Sequence, residues 1–362
     1  MPVSGPVAVA AAEAPRRSAP RPRFPGLRRL VTASACAAGI CAARSAHADA
    51  TQLPPQVAYN YGENDTARAA AMGGALRALG SGTTAMFMNP ADMVETRVYH
   101  IDAFAQITPE AARQVYGGSI VDSVTGRLAG GIAVTGGFLD PDGVDRSQLD
   151  VRISLAYPIS DKLFLGLGGR YAKIGQDPKP RTKAGRGGAP FGAGDIDKAA
   201  GGLVDPEGGR FALVNTVTFD AGLTARLGDS VYVGIVGQNL SYPNNALLPT
   251  TFGGGIGYGT KDFGLEVDGL ADFNSFEKTT ARFMVGGEYL AGDHFPLRVG
   301  YRFDQGADIH WLSAGSGYIG KEFSIEASVR RSLSDPGATM IVIGLAYFLE
   351  SSGLTRAPTD FE

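Results

Sequence analysis

Apolar and polar side chains alternate with a period of two through most of this 362-residue chain. The clearest stretch is residues 149–157, where apolar side chains occupy the odd positions, and Asp150 and Arg152 two of the even ones. A β-strand points successive side chains to opposite faces, so this pattern predicts strands with one apolar and one polar face. The 51 glycines agree with this prediction, because glycine weakens helices and permits close approach in sheets.

Fourteen segments carry the alternation, and their connections differ in length by parity. Connections after even-numbered segments are short, whereas several after odd-numbered segments are longer, above all residues 175–210. Outer-membrane barrels have short periplasmic turns and longer outer loops, so this parity predicts which end faces outward. The segments lie near residues 98–107, 113–121, 127–138, 148–157, 163–174, 211–226, 231–239, 250–259, 262–271, 280–290, 296–304, 309–318, 322–331 and 338–349.

The polar face of these segments distinguishes between two all-β folds. A soluble β-sandwich would also alternate, with its apolar face turned to a core. Here the polar positions hold isolated acids and arginines among glycines, which is typical of a barrel lumen. No run of about 18 apolar residues follows the amino-terminal segment, so helical membrane spans are excluded. We therefore predict an all-β outer-membrane β-barrel of about fourteen antiparallel strands.

Residues 1–48 have a different composition from the rest of the chain. Six arginines lie between positions 16 and 29, a small apolar stretch covers residues 30–43, and Ala46-His47-Ala48 matches an A-x-A cleavage site. This pattern predicts a cleaved export signal and, with the barrel, localisation in the outer membrane of a Gram-negative cell. A membrane anchor fits less well, since the apolar run is short and rich in alanine.

The expected mature chain offers little chemistry for catalysis. Both cysteines, Cys36 and Cys41, lie in the signal, and its seven Arg and one Glu leave 26 basic and 35 acidic residues, a net charge near −9. Because the phosphates of nucleic acid are also negatively charged, we expect no nucleic-acid partner. The remaining histidines, His100, His294 and His310, lack the spacing of metal ligands, and no nucleophile has an adjacent base. We expect no metal site, no cofactor and no enzymatic activity.

Residues 67–96 are rich in small side chains and precede the first strand. They contain AMGGA at residues 71–75 and AMFMNPA at residues 85–91, and VGQNL at 236–240 and PLRVGYR at 296–302 follow in the barrel. In this order the chain resembles the FadL-type outer-membrane transporter superfamily, which includes long-chain fatty-acid and aromatic-hydrocarbon transporters and PorV-like proteins. The resemblance covers essentially the whole mature chain.

This resemblance implies an organisation and a function. A hatch over residues 49–96 would plug a barrel over residues 97–349, and a periplasmic tail would follow over residues 350–362. Hydrophobic or amphipathic small molecules, such as fatty acids, would enter from outside, pass the hatch and leave sideways through the wall. We consider three glycine pairs as sites of a wall distortion, namely Gly130-Gly131, Gly136-Gly137 and Gly168-Gly169.

The hatch and gating role is assigned to Phe87, Asn89, Pro90 and Ala91. Proline fixes φ and keeps the preceding residue out of the helical region, which predicts a sharp turn, and a helix that begins at Pro90 fits the same residues. Ten charged residues at polar strand positions are expected to line the lumen and mostly to pair with one another and with the hatch. These are Asp150, Arg152, Arg170, Asp220, Glu266, Asp268, Arg282, Glu288, Arg298 and Arg302.

Some features favour an alternative function. The chain is shorter than typical fatty-acid transporters, most outer loops are brief, and the loop at residues 175–210 is polar. A PorV-like closed barrel that docks an exported or surface protein, without transport, would account for them. Membrane lipids and the barrel-assembly machinery are expected partners in either case, the latter through a recognition signal at Tyr347-Phe348. A hydrophobic small-molecule ligand is expected for the transporter alone.

Overall fold

The computed structural model describes residues 55–97, 99–139, 146–176, 211–276, 278–333 and 337–349. The predicted export signal, the tail over residues 350–362 and nearly all of the loop at residues 175–210 lie outside the described residues. The predicted hatch is described from residue 55 onward.

Fourteen antiparallel strands close into one barrel, in which each strand pairs with its neighbours in the sequence and the last strand pairs with the first. This confirms the predicted fold, and the alternating segments coincide with the strands apart from small differences at their ends. The strands are β1 Tyr99–Thr108, β2 Arg113–Asp122, β3 Ala129–Leu139, β4 Arg146–Ser160, β5 Leu163–Gln176, β6 Phe211–Leu227, β7 Val231–Gln238, β8 Thr251–Gly259, β9 Phe263–Asp272, β10 Thr280–Ala291, β11 Phe295–Asp304, β12 Ile309–Ile319, β13 Phe323–Ser332 and β14 Thr339–Leu349.

The strand alternation separates the two faces of the wall. On β4, Ile153 is 57% exposed on the outer face, whereas the neighbouring Arg152 on the inner face is 3% exposed. The same holds on β9, where Phe263 and Leu265 point outward and Glu266 is completely buried. An apolar exterior around a polar interior is the arrangement of a transmembrane β-barrel. None of the helices in the described ranges is long and apolar enough to cross a membrane.

The segment before β1 consists of short helical elements that fill the lumen, and we refer to residues 55–96 as the hatch. It contains α1 Pro55–Ala58, α2 Ala67–Ala71 and α3 Gly82–Met88, with 3-10 helices at Asn60–Gly62 and Pro90–Val94. Alanine favours helix formation and has a small side chain, so the ARAAA sequence of α2 can lie close to the wall. The Thr66 side chain caps α2 by accepting a hydrogen bond from the Ala69 backbone N–H at 3.3 Å.

The connections at the two ends of the barrel differ in length as predicted. One end has short connections, such as residues 161–162, 228–230 and 260–262, and we call it the short-turn end. The other end, the long-loop end, includes residues 239–250. There Val57, Ala58, Tyr59 and Tyr61 of the hatch pack on the inner face of the strand ends, in a cluster we call the mouth cluster; its wall residues include Leu139, Ile174, Leu213, Leu248, Ile309 and Trp311.

Strand pairing is unbroken at the three glycine pairs, so the predicted distortion there is wrong. The register shifts instead between Pro158 and Ser160 on β4 and between Ile174 and Gly175 on β5. Glycine permits a departure from the strand ladder but does not impose one. At Gly131 it makes room for the hatch, since a Cβ there would lie 2.8 Å from the Met86 sulfur.

Candidate functional site

The Asn89-Pro90-Ala91 segment joins two helical elements of the hatch. Asn89 follows α3 in an extended conformation and caps the next 3-10 helix, which begins at Pro90. Its Oδ1 accepts a hydrogen bond from the Ala91 N–H at 3.2 Å, and its Nδ2 donates to the Arg77 carbonyl at 2.7 Å and to Thr224 Oγ1 at 2.9 Å. The predicted turn and the predicted helix start are therefore both present. Asn89 is completely buried, and the bond to Thr224 fixes it to β6.

The wall beside this segment has no side chains on its inner face at two paired positions. Gly166 on β5 and Gly222 on β6 lie directly opposite each other. A Cβ at Gly222 would lie 1.8 Å from Asn89 Oδ1, and one at Gly166 would lie 2.1 Å from the Ala91 backbone nitrogen. Only glycine allows the hatch backbone to approach so closely. We call this glycine pair the glycine window.

Phe87, two residues before Asn89, contacts residues of β1, β4 and β7. Its ring makes an edge-to-face contact with Phe104, with 5.8 Å between centroids, and the Arg152 guanidinium lies 5.2 Å from its centroid. Its backbone carbonyl accepts a hydrogen bond from Gln238 Nε2 at 2.9 Å. The four predicted hatch residues thus lie together against β1 and β4 to β7.

On β9, two carboxylates bind the hatch backbone directly. Glu266 accepts hydrogen bonds from the N–H groups of Ala78 at 2.6 Å and Leu79 at 2.8 Å. Asp268 Oδ2 accepts from the N–H groups of Leu76 at 3.1 Å and Arg77 at 3.3 Å, and from the Arg77 guanidinium at 3.1 Å. Four consecutive backbone donors therefore end on one strand, in what we call the carboxylate clamp.

The other eight predicted lumen charges form ion pairs in three groups, and all eight point inward. In the first group Arg152 bridges Asp150 at 3.1 Å and Asp220 at 3.5 Å. Arg170 binds Asp150 at 2.6 Å and also donates to the Gly62 carbonyl of the hatch at 2.6 Å. This group ties β4, β5 and β6 to the beginning of the hatch.

The second and third groups use hatch charges that the sequence analysis did not select. Glu63 pairs with Arg282 at 2.6 Å and Arg302 at 3.3 Å. Arg68 pairs with Glu288 at 3.0 Å, and Glu288 pairs with Arg298 at 2.5 Å. In the structure these charges therefore bind one another and the hatch.

Burial opposes the ionisation of Glu63, but the charges of Arg282 and Arg302 outweigh it and lower its pKa to about 2.

The missed hatch residues had one signal in the sequence. Glu63, Asp65, Arg68 and Arg77 are isolated charges in a segment of small side chains, and such charges need partners when the segment is enclosed.

Comparison with solved structures shows which barrels share this fold. The CymD monoaromatic hydrocarbon channel matches with a TM-score of 0.56 and 16% sequence identity over 79% of this chain and 97% of its own. The toluene transporter TbuX of Ralstonia pickettii matches with a TM-score of 0.53 and 15% identity over 79% and 99% of the two chains. A FadL homologue of Pseudomonas aeruginosa matches with a TM-score of 0.54 and 14% identity over 78% and 98%.

No protein-family model and no curated protein matches the sequence. The structural matches span nearly the whole length of the solved barrels, and they confirm the resemblance to FadL-type barrels at the level of the fold. At such low identity a shared fold does not carry a shared substrate.

Proposed function

We propose that this protein is an outer-membrane channel for hydrophobic or amphipathic small molecules. Export would depend on a cleaved signal over residues 1–48, and the long-loop end would face outward. The observation that carries this proposal is a FadL-type barrel whose lumen is filled by its own amino-terminal segment, with Asn89-Pro90-Ala91 against the wall. Solved barrels with the same fold include a monoaromatic hydrocarbon channel and a toluene transporter.

In this proposal the hatch is the gate. Ligand would enter at the long-loop end, displace part of the hatch, and leave sideways through the wall. The glycine window at Gly166 and Gly222 is the proposed place of release, because only backbone separates the hatch from the outer face there.

A reversible crosslink between hatch and wall tests the gate. The Ala67 Cβ lies 3.5 Å from the position that a Cβ on Gly344 would take, which suits a disulfide. We expect cells that produce the Ala67→Cys/Gly344→Cys variant to take up labelled toluene or oleate only after reduction. Their uptake is measured against cells with an empty vector, before and after a reductant.

The two single-cysteine variants serve as controls, because they carry the same substitutions without a crosslink. Both should retain uptake under oxidising conditions. The expected mature chain has no other cysteine, so no competing disulfide forms within it. Equal uptake by the oxidised and reduced double variant, above the empty vector, would overturn the gate. Uptake no higher than the empty vector in every variant and in the unmodified protein would overturn transport itself.

A docking barrel is the second candidate, and the dense attachment of the hatch favours it. The carboxylate clamp and the three ion-pair groups hold the hatch from several sides, which suits a fixed plug. Such a barrel would bind an exported or surface protein at its long-loop end. Co-purification of one such protein in stoichiometric amount, together with no uptake by the unmodified barrel, would support this function over the channel.

A further inference from the structure

Three successive residues near the start of the hatch have positive φ angles. The φ angle is 53° at Asn60, 53° at Tyr61 and 67° at Gly62. Glycine adopts this left-handed conformation freely and asparagine tolerates it, whereas a larger side chain such as that of tyrosine crowds the following carbonyl oxygen. The turn is therefore strained at Tyr61, and it persists because the surrounding structure holds it.

Tyr61 makes the contacts that hold one side of this turn. Its hydroxyl donates a hydrogen bond to Asp304 Oδ2 at 2.5 Å, and the guanidinium groups of Arg282 and Arg302 lie 4.5 Å and 5.7 Å from its ring centroid. A cation over an aromatic ring is attracted to it, most strongly where water is excluded. Tyr61 is buried, and all these contacts come from the ends of β10 and β11 at the long-loop end.

Gly62 is held from another part of the wall. Its carbonyl accepts a hydrogen bond from the Arg170 guanidinium of β5 at 2.6 Å. A Cβ at Gly62 would lie 2.6 Å from the Leu247 carbonyl oxygen, so the loop between β7 and β8 lies directly against the turn. The turn is therefore fixed on one side by β10 and β11 and on the other by β5 and this loop.

The residues around the turn extend across the lumen. Four of their side chains belong to the mouth cluster, namely Val57, Ala58, Tyr59 and Tyr61. The wall residues of this cluster include Ile174 on β5 and Ile309 on β12. In the ring of fourteen strands β12 comes seven places after β5, which puts the two strands on opposite sides of the barrel. Residues 57–62 thus lie across the long-loop end, and we call them the outer latch.

The partners of Tyr61 retain other contacts when it leaves. Glu63 pairs with Arg282 at 2.6 Å and with Arg302 at 3.3 Å, so both arginines keep an acidic partner. Asp304 Oδ1 still accepts hydrogen bonds from two backbone N–H groups of its own turn. Release also removes the strain, because a turn that is no longer held can adopt ordinary right-handed or extended angles.

We propose that the outer latch opens separately from the rest of the hatch, by release of Tyr61 from β10 and β11 and relaxation of the turn at Asn60–Gly62. The carboxylate clamp on residues 76–79 stays attached during this movement. This inference rests on the proposed function, because it names the part of the hatch that a ligand entering at the long-loop end moves first. Tyr61 is then the residue that keeps this end closed.

Labelling of a buried cysteine with a water-soluble maleimide measures how often the latch opens. Val57→Cys places the probe in the latch, and Ala75→Cys places it beside the clamp; both positions are buried. The purified mature barrel in detergent is used, since its expected chain has no other cysteine. Tyr61→Phe removes the hydrogen bond to the Asp304 carboxylate and should speed labelling of the latch probe about ten- to hundredfold. Labelling of the clamp probe should stay the same.

Tyr59→Phe is the matched control. Tyr59 belongs to the same cluster and is also buried, but its hydroxyl has no hydrogen-bond partner among the described residues. The latch probe should therefore be labelled at the unmodified rate in this variant. Circular dichroism and heat-dependent gel migration establish that both variants form the barrel.

Two substitutions of Asn60 isolate the strain of the turn. The Asn60 amide donates to the Glu63 carbonyl at 3.0 Å and to Asp65 Oδ2 at 3.2 Å, and Asn60→Gly and Asn60→Ala both lose these bonds. They differ in that alanine is unfavourable at a φ of 53°, whereas glycine is not. The latch probe should therefore be labelled about five- to thirtyfold faster in Asn60→Ala than in Asn60→Gly.

Equal acceleration of both probes in Tyr61→Phe would overturn the inference, because the hatch would then move as one body. Unchanged labelling of the latch probe in Tyr61→Phe, or equal rates in the two Asn60 variants, would overturn it as well. Failure here is separable from failure of transport. A barrel that takes up toluene but shows no such acceleration keeps the channel and loses the latch, whereas a barrel with the expected labelling and no uptake keeps the latch and loses the channel.

Discussion

The hatch meets two sides of the wall by different physical means. On β9 it is bound by hydrogen bonds, because Glu266 and Asp268 accept them from four consecutive backbone N–H groups. On β5 and β6 it is accommodated by shape, since Gly166 and Gly222 leave room for Asn89 and the following residues. Hydrogen bonds hold the hatch on β9. On β5 and β6, the lack of side chains at two glycines lets the hatch pack directly against the wall.

This difference suggests which contact changes when the hatch moves. Hydrogen bonds in a dry interior are strong, and breaking those of the clamp leaves buried N–H groups without an acceptor. The glycine side loses mainly packing, apart from the bonds of Asn89 and Asp92 to Thr224. We therefore expect the clamp on β9 to keep its attachment while the segments on either side of it, α2 and the residues at the glycine window, shift.

The largest effect is expected from Glu266→Ala, which breaks the clamp. Two buried N–H groups, those of Ala78 and Leu79, lose their acceptor. At ~1–3 kcal/mol for each, unfolding in urea should become easier by about 2–6 kcal/mol. Maleimide labelling of an Ala75→Cys probe in the hatch should also speed up. Glu322→Ala removes an exposed acid in a short turn and should change neither measurement, and equal behaviour of the two variants would refute the clamp.

A smaller effect is expected from Gly222→Ala at the glycine window. The added methyl group would lie 1.8 Å from Asn89 Oδ1, so the hatch must shift, at about 1–3 kcal/mol for an overpacked site. Gly269→Ala on β9 is a matched control, because a Cβ there has no neighbour within 4 Å. Thermal unfolding distinguishes them, and an equal melting temperature for both variants would show that the window is not tightly packed.

Ser313→Ala tests a single neutral bond between hatch and wall. Ser313 Oγ donates to the Ala71 carbonyl at 2.9 Å, and its loss should lower the unfolding free energy by about 0.5–1.5 kcal/mol. Ser316→Ala changes a partly exposed serine on the outer face of the same strand and should have no such effect. A loss as large as that of Glu266→Ala would contradict the larger effect that we expect from the clamp, where two N–H groups lose their acceptor.

The smallest effect concerns two exposed turn residues outside the barrel wall. A hydrogen bond from Lys261 and its positive charge lower the pKa of Asp293. Because the pKa is lower in the folded state, this pair stabilises the fold above the unfolded-state pKa and ceases to do so as the pH falls through the folded-state pKa. In Lys261→Met the Asp293 pKa, followed by NMR, should rise while hatch labelling stays unchanged. Faster labelling would mean that turn charges contribute to hatch attachment.

Much of the barrel could be predicted because the features that indicate it, the alternation and the connection lengths, involve residues close together in the sequence. The period-two alternation on β4 and β9 showed which side chains face the lumen before any contact was known, and connection lengths separated the two ends. The glycine pairs were misjudged for the same reason, since their sequence shows that a strand could bend but not that it does. Whether a glycine bends a strand or admits a neighbour depends on what lies against it.

The candidate site was predictable only in part. Asn89 was singled out by its proline and its position before the first strand, but its bonds to Arg77 and Thr224 were not foreseen. Glu63 and Arg68 were overlooked, because the arginines and the glutamate with which they pair lie far away in the sequence and are brought near only in three dimensions.

The sequence by itself determined the wall of this protein, since side-chain direction along a strand follows from backbone geometry alone. It also determined that a small-residue segment precedes the wall and contains Asn89-Pro90-Ala91. Tertiary structure alone decided the pairing of charges, because closure of the barrel brings together residues as distant as Glu63 and Arg282, 219 positions apart. It likewise decided that the glycine window faces Asn89, because strand register sets which inner faces meet the hatch.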